Sequence, residues 1–253
     1  MNTTERVSTY DSQSPAYHRA FEVFLAHTNQ KAKAWDWLRG LVQGLPSRQV
    51  FVDAGAGNGK VTAWFLADFQ RTIAIEPNPS LCDELRRTCP TAEVLPQKIL
   101  EAQLSVLADL VLCSHVLYYI DAADRMTHLE KLVSWLAPEG VLVVVIQNHD
   151  TDCMRMLRHF FGHRFHLSEL ASRFEALRGR HYRMEIATVP ARVATADFNS
   201  AFIVAEFMLN VLPMPHPPPR GILEEYVRKH FASSGGGYRL SCDQDFLMIR
   251  PRL

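Results

Sequence analysis

The first chemistry in this chain is offered where an apolar run, Val50-Phe51-Val52, ends at Asp53 and passes into Ala54-Gly55-Ala56-Gly57-Asn58-Gly59. Three glycines in a G-x-G-x-G spacing let a backbone take dihedrals that a Cβ forbids and approach a ligand closely. Glu76 closes the next apolar run, 21 residues after Gly55. A carboxylate at that distance can accept both hydroxyls of a ribose. A glycine turn alone is as readily an ordinary strand-to-helix connection; the acid ending the next strand favours a nucleotide or nucleoside site. Diphosphates fit poorly. A dinucleotide fingerprint asks for Gly or Ala where this chain has Lys60, and a phosphate loop asks for Ser or Thr where it has Val61. Asp53 would also repel a diphosphate, whereas it suits an ammonium or sulfonium cation. What remains is a nucleoside ligand without phosphates.

A second group follows the apolar run 109–114. His115, Tyr118 and Tyr119 leave the C-terminal end of a strand, where doubly wound folds place their ligand crevice. A histidine there can orient an acceptor or take its proton, its ordinary pKa being about 6.5; its bland alternative is a capping or packing role. The two tyrosines offer an aromatic wall for a cation or heterocycle, and one of them is expected in the core. His159, His163 and His166 are spaced for one helical face, but no acid or cysteine lies among them, so no metal is expected. Arg155, Arg158 and Arg164 alongside read first as a solvated basic face and second as a basic lid over an anionic substrate group.

The elements that must position these residues follow from periodicity. Strands are expected over 49–53, 71–76, 92–95, 109–114 and 141–147, alternating with helices over 59–68, 79–88 and 121–136. Asp121 is the expected cap of the last helix, and Pro138-Glu139-Gly140 its stop. Continuous apolar strands separated by helices mean a mostly parallel sheet covered on both faces, a doubly wound α/β fold. Outside this core, helices are expected over 15–28, 31–41, 168–177, 199–211 and 221–231, with a basic and aromatic stretch over 150–165. A sixth strand is expected over 182–193 and a closing strand or hairpin over 238–249. Pro213, Pro215, Pro217, Pro218 and Pro219 suggest a stiff extended connector.

Composition excludes several classes. Lys+Arg and Asp+Glu are 27 each, so the net charge is 0, which argues against a nucleic-acid partner. Apolar residues at 47% and charged residues at 21% describe an ordinary globular chain. The longest apolar run, Val141 to Ile146, is far short of the ~20 residues a membrane helix needs, and the polar N-terminus does not read as a signal peptide. The five cysteines, Cys82, Cys89, Cys113, Cys153 and Cys242, form no C-x-x-C pair. A reduced, cytoplasmic protein is expected, monomeric or homodimeric.

The runs DAGAGNG (53–59) and IAIEP (73–77) resemble motifs I and II of class I S-adenosylmethionine (SAM) methyltransferases. FEVFLAHTNQ, HVLYYID, PPPRGILEEYV and DFLMIR, in that order, are more narrowly similar to the histamine N-methyltransferases. The resemblance implies one methyltransferase domain over 1–253, with a helical lid over 10–45, a SAM-binding core over 46–150, and a substrate-side insertion with closing strands over 151–253. It implies a seven-stranded, Rossmann-like sheet in the order third, second, first, fourth, fifth, seventh, sixth, its last strand antiparallel. By position, Asp53, Gly55, Gly57 and Asn58 would border the methionine moiety of SAM, Glu76 beside Pro77 would hold the ribose, and Gln97 and Ile99 would flank adenine. Ser114 would sit near the cofactor. The family carries an acid after its third strand, and Gln97-Lys98-Ile99 has none.

On the acceptor side, the resemblance places Tyr10 and Tyr17 in a lid and lets Gln30, His115 and Cys242 (or Asp243) stand where the histamine enzymes grip substrate with an acid and two amides. All three differ, so histamine itself is not the expected substrate. Asp243 or Asp245 could restore a negative charge only if no bulge intervenes. The expected function is in-line methyl transfer from SAM, with S-adenosylhomocysteine as product, to a nitrogen of a small amine or heterocycle. His115 and Tyr118 are the candidate catalytic residues, with Tyr119 on the acceptor wall. Transfer to oxygen or sulfur is the nearest alternative. An NAD-dependent oxidoreductase and a non-catalytic SAM-binding protein are the more distant ones.

Overall fold

The computed structural model describes residues 5–10, 14–162, 165–211 and 214–252. These divide into two compact units, each assembled from three stretches of chain. The first comprises 1–34, 147–165 and 189–244, and the second 35–146, 166–188 and 245–253. No described helix is long and apolar enough to cross a membrane.

The second unit carries the large sheet. Its strands are β1 (Val50–Ala54), β2 (Arg71–Ile75), β3 (Glu93–Leu95), β4 (Ala108–Ser114), β5 (Leu136–Gln147), β6 (Tyr182–Val189) and β9 (Gln244–Pro251), in the order β3-β2-β1-β4-β5-β9-β6. This is the expected order, with β9 as the seventh strand. β1 pairs in parallel with β2 and β4, and β4 with β5. Every residue of β1 is buried, as a strand covered on both faces requires. Asp109, at the start of β4, accepts the amides of Gln49 (2.6 Å) and Val50 (2.9 Å) and so fixes where β1 begins. Helices α3 (Pro79–Thr88), α4 (Arg125–Val133) and α6 (Leu167–Arg178) belong to this unit, and α2 (Gln30–Gln43) enters it at Trp35. α3 starts where the sequence predicts, because Asn78 caps the amides of Ser80 and Leu81 and Pro79 takes the first helical position.

Two expected helices of this unit are shorter. In place of a helix over 59–68 there is a single 3-10 turn, Thr62–Phe65. Gly59 sits at φ +82, a value that interrupts any helix, and Trp64 and Phe65 turn onto Trp35 at ring distances of 5.5 and 5.7 Å. The helix expected over 121–136 is α4 alone, and Asp121 does not cap it. The amide of Ala108 donates to the Trp135 carbonyl (2.7 Å), which draws the chain into β5 early. Pro138-Glu139-Gly140 therefore lies inside β5, beside the bulge between Ala108 and Leu110.

The first unit holds α1 (Pro15–His27), α5 (Asp152–Phe161), α7 (Phe198–Leu209) and α8 (Arg220–His230), with a two-stranded antiparallel sheet of β7 (Arg192–Thr195) and β8 (Tyr238–Ser241). The apolar helix α7 is its core: Ala201, Phe202, Val204, Ala205, Phe207, Met208 and Leu209 are buried, and Phe207 packs at a tilt against Phe21 and Phe24 of α1 at 5.4–5.5 Å.

The strand expected over 182–193 is thus two strands in two sheets, broken at Pro190, which cannot donate to a ladder. The segment expected over 238–249 divides in the same way into β8 and β9. The extended connector is held in place at Pro217 to Pro219: the Val7 amide donates to the Pro218 carbonyl (3.0 Å), and Arg6 bridges to Pro219. Pro213, His163 and Arg164 lie outside the described residues. The histidine series is not one helical face, because α5 stops at Phe161 with Gly162 at φ +66, and His166 precedes α6 in the other unit. Among the described residues no group of three or more His, Cys, Asp or Glu could hold a metal.

Candidate functional site

The parallel register sets the site. Asp53 lies opposite Ala74 of β2 and Leu112 of β4, so the chain leaves β1, β2 and β4 at one edge of the sheet. There the amides of Gly55 (2.8 Å) and Ala56 (3.0 Å) donate to the Ile75 carbonyl, binding the glycine loop to the tip of β2. Gly55 and Gly57 have φ of +86 and +57. A Cβ on Gly55 would stand 2.3 Å from Cγ2 of Val116, whereas one on Gly57 would meet nothing within 4 Å. The loop is closed against the protein at Gly55 and open at Gly57, which is the shape of a cradle for a bound group.

Glu76 is buried. Its Oε2 accepts the Gly57 amide and its Oε1 accepts the Asn78 amide, both at 2.9 Å. One carboxylate therefore ties the glycine loop to the cap of α3, and each oxygen retains acceptor capacity, since an ionised carboxylate offers about four lone-pair sites. Pro77 beside it is exposed and Asn58 is half-buried. The amides of Glu76 (3.1 Å) and Gln97 (2.9 Å) both donate to the Leu95 carbonyl, bringing the turn after β3 alongside. Ile99 is buried there and Gln97 exposed.

Asp53 is 2% exposed, and its Oδ2 accepts the Thr62 hydroxyl at 2.6 Å. Burial pushes its carboxyl up to about 7; the Thr62 bond opposes that and the neighbouring Glu76 adds to it. Near neutral pH this group sits at the edge between acid and anion, poised to ionise against a cation. The sign for stability follows: between the ordinary carboxylate pKa and about 7 the native chain keeps a proton that the unfolded chain releases. The stabilisation is therefore complete below pH 4 and lost as pH rises through 7. Chemical denaturation from pH 5 to 8 is expected to show stability falling more steeply in the wild type than in Asp53→Asn; parallel profiles would remove Asp53 as the cause.

β4 ends at Ser114, half-buried. His115 follows at φ +57, the one non-glycine residue with positive φ among those described. Its amide donates to the Val145 carbonyl (2.8 Å), holding the turn to β5. Its ring lies 5.9 Å from that of Tyr118, at 26°. Tyr118 is buried and Tyr119 is 68% exposed, so only the second is free to form a wall.

The remaining acceptor-side candidates lie in the first unit, except Asp245, which belongs to the second. Tyr10 donates its hydroxyl to Oε2 of the buried Glu206 at 2.5 Å, and burial, reinforced by that bond, raises its phenol far above the ordinary value. Tyr17 packs on Phe21 and Phe207. The Gln30 amide donates from Nε2 to the Cys242 carbonyl (2.8 Å), and the Cys242 thiol lies 3.5 Å from the Thr28 hydroxyl. Asp243 accepts the Ala191 amide at 2.9 Å and Asp245 the Thr188 hydroxyl at 2.7 Å. The structure thus brings Asp53, Gly55, Gly57, Glu76, Gln97, Ser114 and His115 to one edge of the second unit, and joins Gln30 to Cys242 in the first. Sequence reasoning missed Thr62, Asn78, Val116 and Glu206. Two of them carried a signal: Asn78, a capping residue directly before Pro79, and Glu206, the one acid in the apolar run 201–209.

A family model described as a methyltransferase domain matches residues 52–144, which include all of these second-unit residues. No curated protein matches the chain. Among solved structures, the YcgJ protein of Bacillus subtilis has a TM-score of 0.59 at 12% identity, covering 85% of this chain and 98% of its own. DhpI, solved with S-adenosylhomocysteine, has a TM-score of 0.53 at 16% identity, covering 93% of each chain. The N-methyltransferase NodS of Bradyrhizobium japonicum, also solved with S-adenosylhomocysteine, has a TM-score of 0.52 at 14% identity, covering 95% of this chain and 90% of its own. At these identities the likeness is one of fold. Together, the seven-stranded sheet, the glycine loop with its carboxylate, and the match over 52–144 make this protein a SAM-dependent methyltransferase of the class I, Rossmann-like fold.

Proposed function

We propose that the enzyme methylates a nitrogen of a small amine or heterocycle, and that the second-unit edge holds the cofactor. Bound there, SAM supplies a methyl group on a positively charged sulfur. The open face at Gly57 and the spare acceptor capacity of Glu76 fit a nucleoside with two vicinal hydroxyls, and Asp53 fits the positive charge of the methionine portion. Asn58, Pro77, Gln97, Ile99 and Ser114 complete the surround. The chain's own task is then to place the acceptor's lone pair and to exclude water.

The observation that carries the acceptor assignment is His115. A left-handed backbone at a non-glycine residue costs of order 1–2 kcal/mol, and that cost falls on a titratable side chain next to the loop. We assign it to orienting the acceptor nitrogen or taking its proton, with Tyr118 packed against it and Tyr119 as the outer wall. Tyr10, Tyr17, Gln30, Cys242 and Asp243 are assigned to the acceptor side. Gln30 brings no negative charge to the place where the histamine enzymes carry an acid, which favours a heterocycle or neutral amine over an alkyl ammonium. The five cysteines, all unpaired and buried, suit a reducing, cytoplasmic setting and a monomer or homodimer acting on a small molecule.

The test is a panel of primary amines and N-heterocycles, scored by release of S-adenosylhomocysteine, beside a matched panel of phenols and thiols. Turnover confined to phenols or thiols would move the acceptor atom to oxygen or sulfur. On the best acceptor, His115→Gly is expected to leave stability unchanged or raise it by about 1 kcal/mol through relief of strain, while turnover falls by about 10²-fold. Retained turnover in that variant would reduce His115 to a turn residue.

A further inference from the structure

A polar cavity lies in the first unit, away from the glycine loop in sequence, and takes in Arg155 and Arg158 of the basic stretch noted in the sequence. Its volume is about 340 Å³, and Asp152, Arg155, Arg158 and His159 of α5 and Tyr226 and His230 of α8 line it. We propose that this cavity is an oxyanion site that takes a phosphate group, free or as the end of a small organic phosphate.

The argument begins with charge. Asp152 is the only acid in the lining, and its oxygens are engaged. Oδ2 accepts the Ser241 amide (2.7 Å) and hydroxyl (2.9 Å), and Oδ1 accepts Arg155 at 2.8 Å. Those bonds hold its carboxyl below the ordinary range against the burial that opposes them, so it stays an anion whose charge offsets Arg155. Arg158 is left over. It is half-buried, and among the described residues no carboxylate pairs with it. A partly desolvated guanidinium without a counter-ion is costly, and its planar fork matches two oxygens of a phosphate.

Geometry supplies the remaining donors. The Tyr226 ring stands between two imidazoles, 5.0 Å from His159 and 4.3 Å from His230. Each imidazole carries an N–H donor even when neutral. The Tyr226 phenol is pushed up by burial and by Asp152 and drawn back by Arg155 and Arg158, which places both guanidiniums within electrostatic reach of its hydroxyl, a further donor. The cavity exceeds the size of a bare phosphate and falls at the lower end of small-ligand pockets.

The test is calorimetric titration of the full chain with inorganic phosphate and, separately, with ribose 5-phosphate, at ionic strength fixed by sodium chloride, each run without and with saturating S-adenosylhomocysteine. Saturable binding of either is expected, weakened about tenfold in Arg158→Gln, the loss that follows from removing one charge-assisted hydrogen-bonding group. A preference for ribose 5-phosphate assigns an organic phosphate; a preference for inorganic phosphate assigns the free ion. If Arg158→Gln is unstable by circular dichroism, His230→Gln carries the test with the same expectation. Heat without saturation, binding unchanged in both variants, or binding that disappears when S-adenosylhomocysteine is present would overturn the assignment. None of these results bears on the methyl acceptor, so the two readings fail separately.

Discussion

Gly55→Ala is expected to lower stability by about 2–4 kcal/mol and the midpoint of thermal unfolding by roughly 6–12 °C. Two costs add. The residue holds φ +86, and its new methyl would stand 2.3 Å from Cγ2 of Val116 and 3.4–3.5 Å from that residue's Cγ1 and Cβ. Val116 is β-branched and has little rotamer freedom with which to retreat. Gly57→Ala is the contrast. Its φ of +57 costs of order 1 kcal/mol, but its methyl meets nothing within 4 Å, so the loss of stability should be small. That methyl would instead occupy the open side of the cradle, and SAM affinity should fall by at least tenfold while the fold survives. Scanning calorimetry of the two variants, with titration of S-adenosylhomocysteine, checks both claims. Equal shifts in the unfolding midpoint would show that Val116 does not close the loop at Gly55.

Glu76→Ala should weaken SAM by about 1–3 kcal/mol, roughly 5- to 150-fold, through loss of charge-assisted hydrogen bonds. The structure adds a component that the sequence did not suggest. Because Glu76 also accepts the Gly57 and Asn78 amides, alanine leaves two donors at the loop without their partner, and the loop itself loosens. Glu76→Gln separates the effects. It keeps one carbonyl acceptor and removes the charge, so its affinity should fall between those of wild type and alanine, with stability nearer the wild type. Calorimetric titration with S-adenosylhomocysteine reads the affinities, and unchanged affinity in Glu76→Ala would take the ribose assignment away from this carboxylate.

The parts of the site legible in sequence share a property: each is fixed by residues close along the chain. A strand that ends at Asp53, a loop that needs glycine, and an acid at the end of the next strand are local constraints, and the parallel register then lays them side by side. The helix at 79–88 was legible for the same reason, since Asn78 and Pro79 start it from within. The helix expected over 59–68 was not found because its apolar residues answer to Trp35, which lies outside that window. The acceptor side was least legible. Gln30 and Cys242 are more than two hundred residues apart and meet through a backbone carbonyl, a contact that carries no side-chain signature in Cys242.

By itself the sequence determined the doubly wound sheet and the glycine-and-carboxylate edge, because burial of continuous apolar strands and the stereochemistry of glycine act over a few residues; the strand order followed from the resemblance to the class I methyltransferases. The tertiary structure alone decided that 182–195 and 238–251 each divide between two sheets, that Asp53 is a buried group poised near neutrality, and that two arginines and two histidines share a cavity. Those depend on which distant segments pack together and on how much water they exclude, and neither quantity is written in any local pattern of residues.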